Sequence, residues 1–500
     1  MTPPAGSVRD WLDRRAAETP DAVSHIFADE GASLTWAELR DIAADIAARL
    51  SGLGVEKAES VALCLPNGRA GITCLFGALY GGFRATPLNL AAGASAMGYA
   101  IEHSKAAVAL VGTSQTTTFA DALTETEARP TAIEVGEAII WPTDTTAALA
   151  DVTASDHALL MYTSGTTGRP KGVVHDQSSL LAGGWTVALA HELTPDDRAL
   201  MVLPFFHING LCVTLMGPLV SGGAVIMAEK FSLSRFWGWV GDNQATWFSV
   251  VPTIISHLLH GPETPEAEMK GRLRFARSAS APLPIETQRA FEERFGIPIV
   301  ETMGLTETAA QMLSNPLPPG VRKIGSPGVA IGNETEIITD KKIAPRGTSG
   351  EIAVRGPNVM KEYLFNPEET AKTITQEGWL LTGDLGHMDE DGYVYVTGRR
   401  KELIIKGGEN IAPREIDEAL YSSDEVVEAA AFARPCPTYG QRVEAAVRLS
   451  DAAASTEADL IALCTAKVGA FKAPDRVHLM AELPKGPSGK IQRLKLAEML

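Results

Sequence analysis

The chain has few of the features that mark secreted, metal-stapled or nucleic-acid-binding proteins. Its 500 residues include only 5 cysteines, and none stands in a CxxC pair or at metal-ligand spacing. We therefore expect reduced thiols in a cytoplasmic protein rather than a disulfide or zinc scaffold. There are 44 lysines and arginines against 61 aspartates and glutamates, a formal net charge of −17. This deficit of basic residues argues against nucleic acid as a partner.

From the sequence we expect neither a signal peptide nor an uninterrupted membrane-spanning run. Its first residues, MTPPAGSVRDWLDRR, contain no apolar core of the kind found in signal peptides. The stretch 199–228 contains no charged residue and is long enough to cross a bilayer. Two prolines, a histidine, an asparagine and a glycine pair divide it into short pieces. We interpret it as buried strands and a buried helix, and we expect no membrane span.

Length and hydrophobic periodicity predict a protein of more than one domain. Hydrophobic residues make up 45% and charged residues 21% of the chain, which is typical of globular proteins. In the first half, helical patterns such as the one begun by the capping box Thr35-x-x-Glu38 alternate with apolar strands such as 60–65. That alternation predicts parallel sheets covered by helices. Beyond about residue 320, short strands between Gly, Pro and Asp turns predict a small β-rich part.

The most informative segment is YTSGTTGRPKG, residues 162–172. Its glycines allow the backbone N–H groups to point at an anion, its hydroxyls add donors, and Lys171 adds a positive charge. These are the requirements of a clamp for a polyphosphate. The Walker A spacing is absent, which argues against a P-loop-type ATPase. A flexible Ser/Gly linker is the alternative, and the lysine and the preceding apolar strand argue against it.

Four later segments extend this pattern in a fixed order. They are MGLTE (303–307), WLLTGDLG (379–386), YVYVTGRRKELIIKGGEN (393–410) and PKGPSGKIQR (484–493). Together with the glycine-rich loop they resemble the motifs of the adenylate-forming superfamily of acyl-CoA synthetases, luciferases and peptide-synthetase adenylation domains. The resemblance covers roughly residues 20–500, with Met303 in the place of the family's aromatic residue.

The resemblance implies an α/β multidomain fold. A large N-terminal domain, residues 1–398, would comprise two helix-covered β-sheet subdomains and a small β-barrel-like subdomain, and would bind ATP and the acid. Residues 399–401 would form a hinge at Lys401. Residues 402–500 would form a small mobile α+β domain that carries the catalytic lysine.

The same resemblance implies roles in ATP binding and catalysis. Lys490 would bridge the attacking carboxylate and the α-phosphate, because its ammonium offsets the repulsion between two anions. Glu307 would hold Mg²⁺. As alternatives, Asp384 could be a turn residue and residues 399–401 a solvated charge run. The implied ATP site comprises Thr163, Ser164, Gly165, Thr166, Thr167, Lys171, Met303, Gly304, Thr306, Asp384 and Arg399, and the implied catalytic groups are Lys490, His207, Thr306 and Glu307.

A second half-reaction with coenzyme A is implied as well. After rotation of the small domain, Gly407 and Gly408 would line the channel for the pantetheine arm, with Tyr439 nearby. Coenzyme A would then take the acyl group and release AMP. The implied substrates are a carboxylic acid, ATP and coenzyme A, with Mg²⁺ as cofactor, in a monomer or homodimer.

The acid pocket is implied at the polar and bulky residues His207, Asn209, Trp247, His257, Ser278 and Ser280. Trp247 would shorten the pocket if it points inward, and it would be a core residue if it points away. The hydroxyl and imidazole groups could bond a second polar group on the acid. A site that hydrogen-bonds a polar group rejects a substrate without that group by a factor of roughly 10⁴ or more. An apolar pocket discriminates between substrates that differ by one methylene by a factor of only ~10–200. This favours a small, doubly charged acid.

Within the superfamily the chain is similar to the oxalate–CoA and malonate–CoA ligase branch. The segments that carry this similarity are PFFHING, VVPTII, RFARSASAPL, SNPLP and RGPNVMK. His257 stands where the malonate enzymes carry an arginine for the distal carboxylate, and Asn209 stands where the branch often has a second histidine. These departures argue against malonate and leave oxalate or sulfoacetate.

Other functions remain as alternatives. They are a medium-chain or aromatic acid–CoA ligase, an enzyme that loads a carrier-protein thiol, and, from another class, a P-loop-type ATPase or a non-catalytic nucleotide-binding protein. A non-catalytic relative would be expected to have lost Lys490, Glu307 or Asp384, and all three are present.

Overall fold

The computed structural model describes residues 2–163, 170–486 and 490–500. The predicted polyphosphate-loop residues Ser164, Gly165, Thr166 and Thr167 lie outside the described residues. The α-helices are α1 (Val8–Glu18), α2 (Trp36–Gly52), α3 (Arg69–Gly81), α4 (Ala94–Ser104), α5 (Thr116–Thr124), α6 (Gln177–Ala190), α7 (Gly217–Ser221), α8 (Leu233–Asp242), α9 (Pro252–His260), α10 (Ala267–Arg272), α11 (Ile285–Phe295), α12 (Pro367–Thr373), α13 (Pro413–Tyr421), α14 (Glu457–Val468) and α15 (Arg493–Met499).

The strands form four sheets. In chain order they are β1 (Val23–Phe27), β2 (Ala32–Thr35), β3 (Ser60–Cys64), β4 (Arg84–Pro87), β5 (Val108–Gly112), β6 (Thr131–Val135), β7 (His157–Thr163), β8 (Lys171–Asp176), β9 (Arg198–Met201), β10 (Ala224–Met227), β11 (Trp247–Val250), β12 (Phe275–Ser278), β13 (Ile299–Met303), β14 (Leu313–Ser314), β15 (Val329–Ala330), β16 (Glu334–Thr339), β17 (Lys342–Ile343), β18 (Gly350–Arg355), β19 (Glu362–Tyr363), β20 (Leu380–Met388), β21 (Val394–Arg399), β22 (Ile404–Lys406), β23 (Glu409–Ile411), β24 (Val426–Cys436), β25 (Gly440–Leu449) and β26 (Arg476–Leu479).

Two large, mainly parallel sheets dominate the first three quarters of the chain. One has nine strands in the order β15-β14-β13-β12-β11-β9-β10-β1-β2, and the other has seven in the order β19-β8-β7-β4-β3-β5-β6. The run from β13 to β1 is parallel throughout. Parallel strands need helical crossovers that cover both faces, so strands such as β3 are buried along their whole length and largely apolar.

The main core lies between these two sheets, and helices α2, α3 and α6 pack within it. It contains Leu63 from β3, Phe76 from α3, Leu180 from α6 and Trp247 from β11. Each of these side chains is fully buried, and full burial of a large apolar side chain stabilises the fold by about 1.5–3 kcal/mol.

Local signals in the sequence set where helices begin. The predicted capping box at α2 is confirmed. The Thr35 hydroxyl accepts from the Glu38 N–H at 3.2 Å, and the Glu38 carboxylate accepts from the Thr35 N–H at 2.8 Å. Asp176 similarly caps α6 by accepting from the Ser179 N–H at 2.8 Å.

The remaining two sheets are smaller. The part predicted to be barrel-like is a five-stranded antiparallel sheet in the order β17-β16-β18-β20-β21. Near the C-terminus, β23-β22-β25-β24 and β26 form a sheet packed against α13 and α14, with its own core around Ile404, Ile416 and Val443. The predicted α/β multidomain fold, with an α+β C-terminal part, is confirmed. The boundary near residue 398 stays a prediction. No helix among the described residues combines the length and apolarity needed to cross a membrane.

Candidate active site

The carboxyl ends of four neighbouring parallel strands form one edge of the nine-stranded sheet. After β9 comes the loop with His207, after β11 comes α9, after β12 comes Ser280, and after β13 comes Gly304. Ligands of open α/β sheets bind at this kind of edge. A cleft lies here, bounded by the sheet edge on one side and by β20, β21 and the C-terminal sheet with its helices on the other.

Two cations and a carboxylate line this cleft together. Asp384 on β20 lies directly opposite Arg399 on β21, and the Arg399 Nε donates to the Asp384 Oδ1 at 2.7 Å. Asp384 raises the pKa of the Arg399 guanidinium. Lys490, from the last part of the chain, lines the same cleft. Burial and the nearby Arg399 lower the pKa of Lys490 below its ordinary value. An anion bound between Lys490 and Arg399 would offset the repulsion between these two positive charges.

A tight turn at the end of β13 shapes the floor of the cleft. A Cβ atom on Gly304 would lie 1.1 Å from the Ala310 carbonyl oxygen, so this position accepts only glycine. A 3₁₀ turn, Thr306–Thr308, follows. The Glu307 Oε1 accepts the Tyr363 hydroxyl at 2.8 Å, and the Thr306 carbonyl oxygen lies 2.7 Å from the His175 Nε2. Met303 and Gly304 line the cleft, and Thr306 and Glu307 follow directly.

Glu307 offers a single carboxylate rather than a metal cage. Among the described residues no cluster of three His, Cys, Asp or Glu side chains could hold a metal ion. Mg²⁺ is commonly held by one or two carboxylates together with substrate phosphates. A lone carboxylate beside a cleft that contains Lys490 and Arg399 fits that mode of binding.

The ends of the predicted polyphosphate loop lie beside Glu307. Thr163 ends β7 and is paired in register with Lys171, the first residue of β8. The Lys171 Nζ forms an ion pair with Glu369 and lies 4.7 Å from the centre of the Tyr363 ring. Because Tyr363 also donates to Glu307, the loop ends and the carboxylate belong to one connected group.

The structure brings together part of the predicted acid pocket. The Asn209 Nδ2 donates to the Ser280 Oγ at 3.0 Å, and Ser280 lines the cleft. Ser280 adopts a left-handed backbone conformation with φ of 74°. Burial lowers the pKa of His207 to about 4, so its ring is neutral at pH 7. Its Nε2, like the buried Ser278 Oγ, has no hydrogen-bond partner among the described residues.

Trp247 and His257 lie elsewhere. Trp247 is fully buried at the start of β11 and stacks on Phe275, with ring centres 5.5 Å apart. Of the two alternatives drawn from the sequence, it is the core residue. His257 lies on α9 against the C-terminal part, with its Nε2 3.6 Å from the Glu428 Oε1. Of the six residues predicted for the acid pocket, Ser280 alone is among the described residues that line the cleft.

One residue of this region was not predicted from the sequence. Arg277 on β12 is fully buried, and its Nη1 donates to the Asn209 Oδ1 at 2.8 Å and to the Ser249 Oγ at 3.0 Å. Its Nε donates to the Gln311 Oε1 at 3.2 Å. The sequence signal that could have identified it is an arginine inside a short apolar strand, because arginine is rarely fully buried without a partner.

The residues predicted to contact coenzyme A form a separate group. Gly407 and Gly408 make the turn between β22 and β23, with φ of 59° and 87°. The Gly407 N–H donates to the Tyr439 carbonyl oxygen at 2.9 Å, and Tyr439 is exposed. None of the three is among the described residues that line the cleft. Lys401 lies in the turn that follows β21.

Comparison with known families finds two matches that together span most of the chain. Residues 12–364 match the AMP-binding enzyme family, and residues 415–490 match the AMP-binding enzyme C-terminal domain. The segment between the two matches contains Asp384 and Arg399.

Curated relatives align over nearly the full length. A sulfoacetate–CoA ligase from Cupriavidus necator is 44% identical over 489 residues, covering 96% of each chain. An oxalate–CoA ligase from Arabidopsis thaliana is 36% identical over 481 residues, covering 93% of each.

Solved structures show the same fold. The ATP-bound crystal structure of MatB from Rhodopseudomonas palustris superposes with a TM-score of 0.90 at 30% identity, covering 98% of each chain. The apo structure of the same protein superposes with a TM-score of 0.79. The fold is thus more similar to the ATP-bound form of that protein than to its apo form.

Proposed function

The chain belongs to the AMP-binding enzyme family, and we propose on that basis that it joins a small dianionic carboxylic acid to coenzyme A through an acyl-adenylate. The observation that carries the proposal is the cleft in which Lys490, Arg399 and Asp384 face the carboxyl edge of a parallel sheet. Relatives named as acid–CoA ligases align over this entire arrangement.

In the first half-reaction, a carboxylate oxygen of the acid attacks the α-phosphorus of ATP. The new P–O bond forms as the bond to the bridging oxygen of pyrophosphate breaks, which yields acyl-AMP and pyrophosphate. The Lys490 ammonium stabilises the transition state because it lies between two sets of negatively charged oxygens. Asp384 accepts from the ribose hydroxyls, and Arg399 holds Asp384 in place through the 2.7 Å bond.

Glu307 would hold the magnesium ion that accompanies ATP, and that ion would supply positive charge to the phosphates of the departing pyrophosphate. Tyr363 fixes the Glu307 carboxylate through its hydroxyl, and Lys171, which follows the polyphosphate loop in sequence, lies over the Tyr363 ring.

In the second half-reaction the thiol sulfur of coenzyme A attacks the acyl carbon. The C–S bond forms, the bond from carbon to the AMP oxygen breaks, and the thiol proton leaves to solvent. Gly407, Gly408 and Tyr439 lie outside the cleft in the described conformation. The small domain therefore turns about the segment at Lys401 between the two steps, which removes Lys490 and brings the glycine turn to the cleft.

The acid is a small dianion of the sulfoacetate or oxalate type. Asn209, Ser280 and His207 supply polar groups at the carboxyl edge of the nine-stranded sheet, where we expect the acid to bind. A long apolar chain would leave these polar groups unpaired, which is costly. The names of the two curated relatives point in the same direction.

The test is pyrophosphate release with MgATP and coenzyme A across sulfoacetate, oxalate, malonate, acetate, a medium-chain fatty acid and a hydroxycinnamate. We expect strong preference for one small dianion, with AMP and the CoA thioester as products. ADP as product would indicate a kinase or ATPase instead. Preference for the fatty or aromatic acid would retain the ligase assignment and refute the dianion.

A further inference from the structure

A buried positive charge lies behind the acid-binding region without a carboxylate partner. Arg277 is only 1% exposed, and no aspartate or glutamate forms an ion pair with it anywhere in residues 2–163, 170–486 and 490–500. Burial lowers the pKa of Arg277 to about 9, so the guanidinium remains a cation at pH 7. Buried charges are normally paired, because an uncompensated charge in a protein interior is expensive.

A neighbouring arginine shows the usual arrangement. Arg274 lies just before β12, and its Nη1 contacts the Asp197 Oδ2 at 2.7 Å in an ion pair that bridges to an adjacent loop. Arg277 is far more buried, yet its contacts are the neutral side chains Asn209, Ser249 and Gln311. A purely structural role would be served by a carboxylate at one of these positions. The missing negative charge therefore points to a ligand.

Of the hydrogen bonds around Arg277, the one to Asn209 leads on to Ser280 at the cleft, while Gln311 donates its amide to the Thr186 carbonyl oxygen of α6. Arginine has donors only, so the Asn209 atom that faces it is the carbonyl oxygen. The Asn209 amide nitrogen consequently faces Ser280 and donates to its Oγ. Since the Ser280 oxygen accepts that bond, its own hydrogen is free to point into the cleft. The second N–H of Asn209 is a further donor.

Arg277 thus fixes two neutral side chains as donors toward the place where the acid binds. His207, the other polar group here, is neutral at pH 7 and supplies no charge. We propose that Arg277 is the positioning residue for the second anionic group of a small dianionic acid, orienting Asn209 and Ser280 as donors and supplying the counter-charge behind them. This inference rests on the proposed function and names the element that selects the substrate.

The test compares a dianion with an analogue of the same shape whose distal end is neutral. If the wild-type chain prefers sulfoacetate, the analogue is methylsulfonylacetate. If it prefers oxalate, the analogue is oxamate. In Arg277→Met we expect the KM for the dianion to rise by about 100-fold with kcat within about threefold, as for loss of a hydrogen bond from a charged group. The kcat/KM for the neutral-ended analogue should change by less than about threefold.

The matched control is Arg274→Met. It removes an arginine three positions away that has a carboxylate partner and no contact with the cleft. We expect it to lower the melting temperature without changing the preference for the dianion. Equal losses for dianion and analogue in Arg277→Met would show that Arg277 only supports the fold, and would overturn the inference.

A second variant keeps the test decisive if Arg277→Met folds poorly. Asn209→Asp places a carboxylate beside the Arg277 guanidinium, which supplies the missing partner and should preserve or raise the melting temperature. It also cancels the counter-charge and removes the donor to Ser280, so the dianion preference should fall by about 100-fold. Retained preference in a stable Asn209→Asp protein would overturn the inference, and Arg277→Lys should restore part of the preference. A wild-type chain that forms no acyl-AMP from any acid would instead refute the proposed function.

Discussion

At the scale of single residues, one lysine should separate the two half-reactions. Lys490 lies in the cleft that holds Asp384 and Arg399, while the turn predicted to contact coenzyme A lies outside it. We expect Lys490→Ala to slow acyl-AMP formation by about 10²–10⁴, the range typical of one positioned catalytic group. Thioester formation from pre-made acyl-AMP should be largely intact. Single-turnover assays of each half measure both, and an equal loss in both halves would contradict the assigned role.

The same residue predicts a pH dependence. Burial and then Arg399 lower the pKa of Lys490 from its ordinary value of 10.5. The reactive form is the ammonium, so the adenylation rate is highest below the shifted pKa and falls as pH rises through it. The basic limb of the adenylation profile should therefore lie below pH 10.5. Lys490→Arg should move that limb to higher pH, because arginine stays protonated. A limb that does not move would assign it to another group.

Short contiguous motifs in the sequence identified residues that the structure brings together, while their catalytic roles stay predictions. Asp384, Arg399 and Lys490 each stand in such a motif, and the structure places them in one cleft. Arg277 was not predicted from the sequence, because its environment is formed by Asn209 and Gln311, which are 68 and 34 positions away in the chain. No local pattern reveals that a strand arginine will have only neutral partners.

At the scale of elements, the acid-binding region depends on a tight helix contact. Asn209 begins a π-helical segment, Asn209–Met216, which packs against α6. A Cβ atom on Gly184 of α6 would lie 2.5 Å from the Met216 carbonyl oxygen, a backbone atom that cannot move aside cheaply. Gly184→Ala should therefore push the π-helical segment away from α6 and cost about 1–3 kcal/mol of stability.

Thermal unfolding and steady-state kinetics check this element-scale prediction. We expect a lowered melting temperature together with a raised KM for the acid, because displacement of the segment moves Asn209 relative to Ser280. The matched control is Gly271→Ala in α10, where an added Cβ meets nothing within 4 Å. That variant should be neutral or slightly stabilising, since alanine is the better helix former. Equal melting temperatures for the two variants would refute the packing argument.

Helix existence was easier to predict than helix orientation. The capping box at Thr35 located the start of α2, since its two reciprocal hydrogen bonds are local. The sequence predicts His257 of α9 in the acid pocket, but its side chain faces Glu428 in the C-terminal part, whereas Ser256 of the same helix lines the cleft. Which neighbour a helix face meets is set by contacts across about 170 residues of sequence, and no local periodicity records them.

At the scale of the whole molecule, polar contacts hold the C-terminal part against the large domain in the described conformation. The Ser256 Oγ donates to the Val427 carbonyl oxygen at 3.0 Å, and the Ile285 N–H donates to the Glu418 Oε2 at 3.2 Å. These contacts favour the arrangement in which Lys490 lies in the cleft. They must break if the small domain turns between the two half-reactions, so they set part of the balance between two conformations.

Arg414 offers the sharpest test of that balance. Its Nη1 donates to the Val396 carbonyl oxygen at 2.8 Å and its Nη2 to the Gly325 carbonyl oxygen at 3.2 Å, both across the interface. Arg414→Gln should weaken the described arrangement by about 1–2 kcal/mol, since two bonds from a charged donor are lost and solvent replaces part of them. Acyl-AMP formation should then slow by about 5–30-fold, while thioester formation from pre-made acyl-AMP should be unchanged or faster.

The control for this shift is an arginine whose bond stays within the small domain. The Arg434 Nη1 donates to the Ala497 carbonyl oxygen at 2.7 Å and its Nε lies 3.6 Å from the Glu444 Oε2, so Arg434→Gln removes contacts within the small domain without touching the interface. We expect it to lower the melting temperature and to leave the ratio of the two half-reaction rates unchanged. If Arg414→Gln slowed both half-reactions equally, its bonds would support the fold rather than one conformation. If the ratio of the two half-reaction rates changed in Arg414→Gln and not in Arg434→Gln, the two half-reactions would use different arrangements of the same two domains. The reason is that only a contact unique to one arrangement can change the two rates in opposite directions.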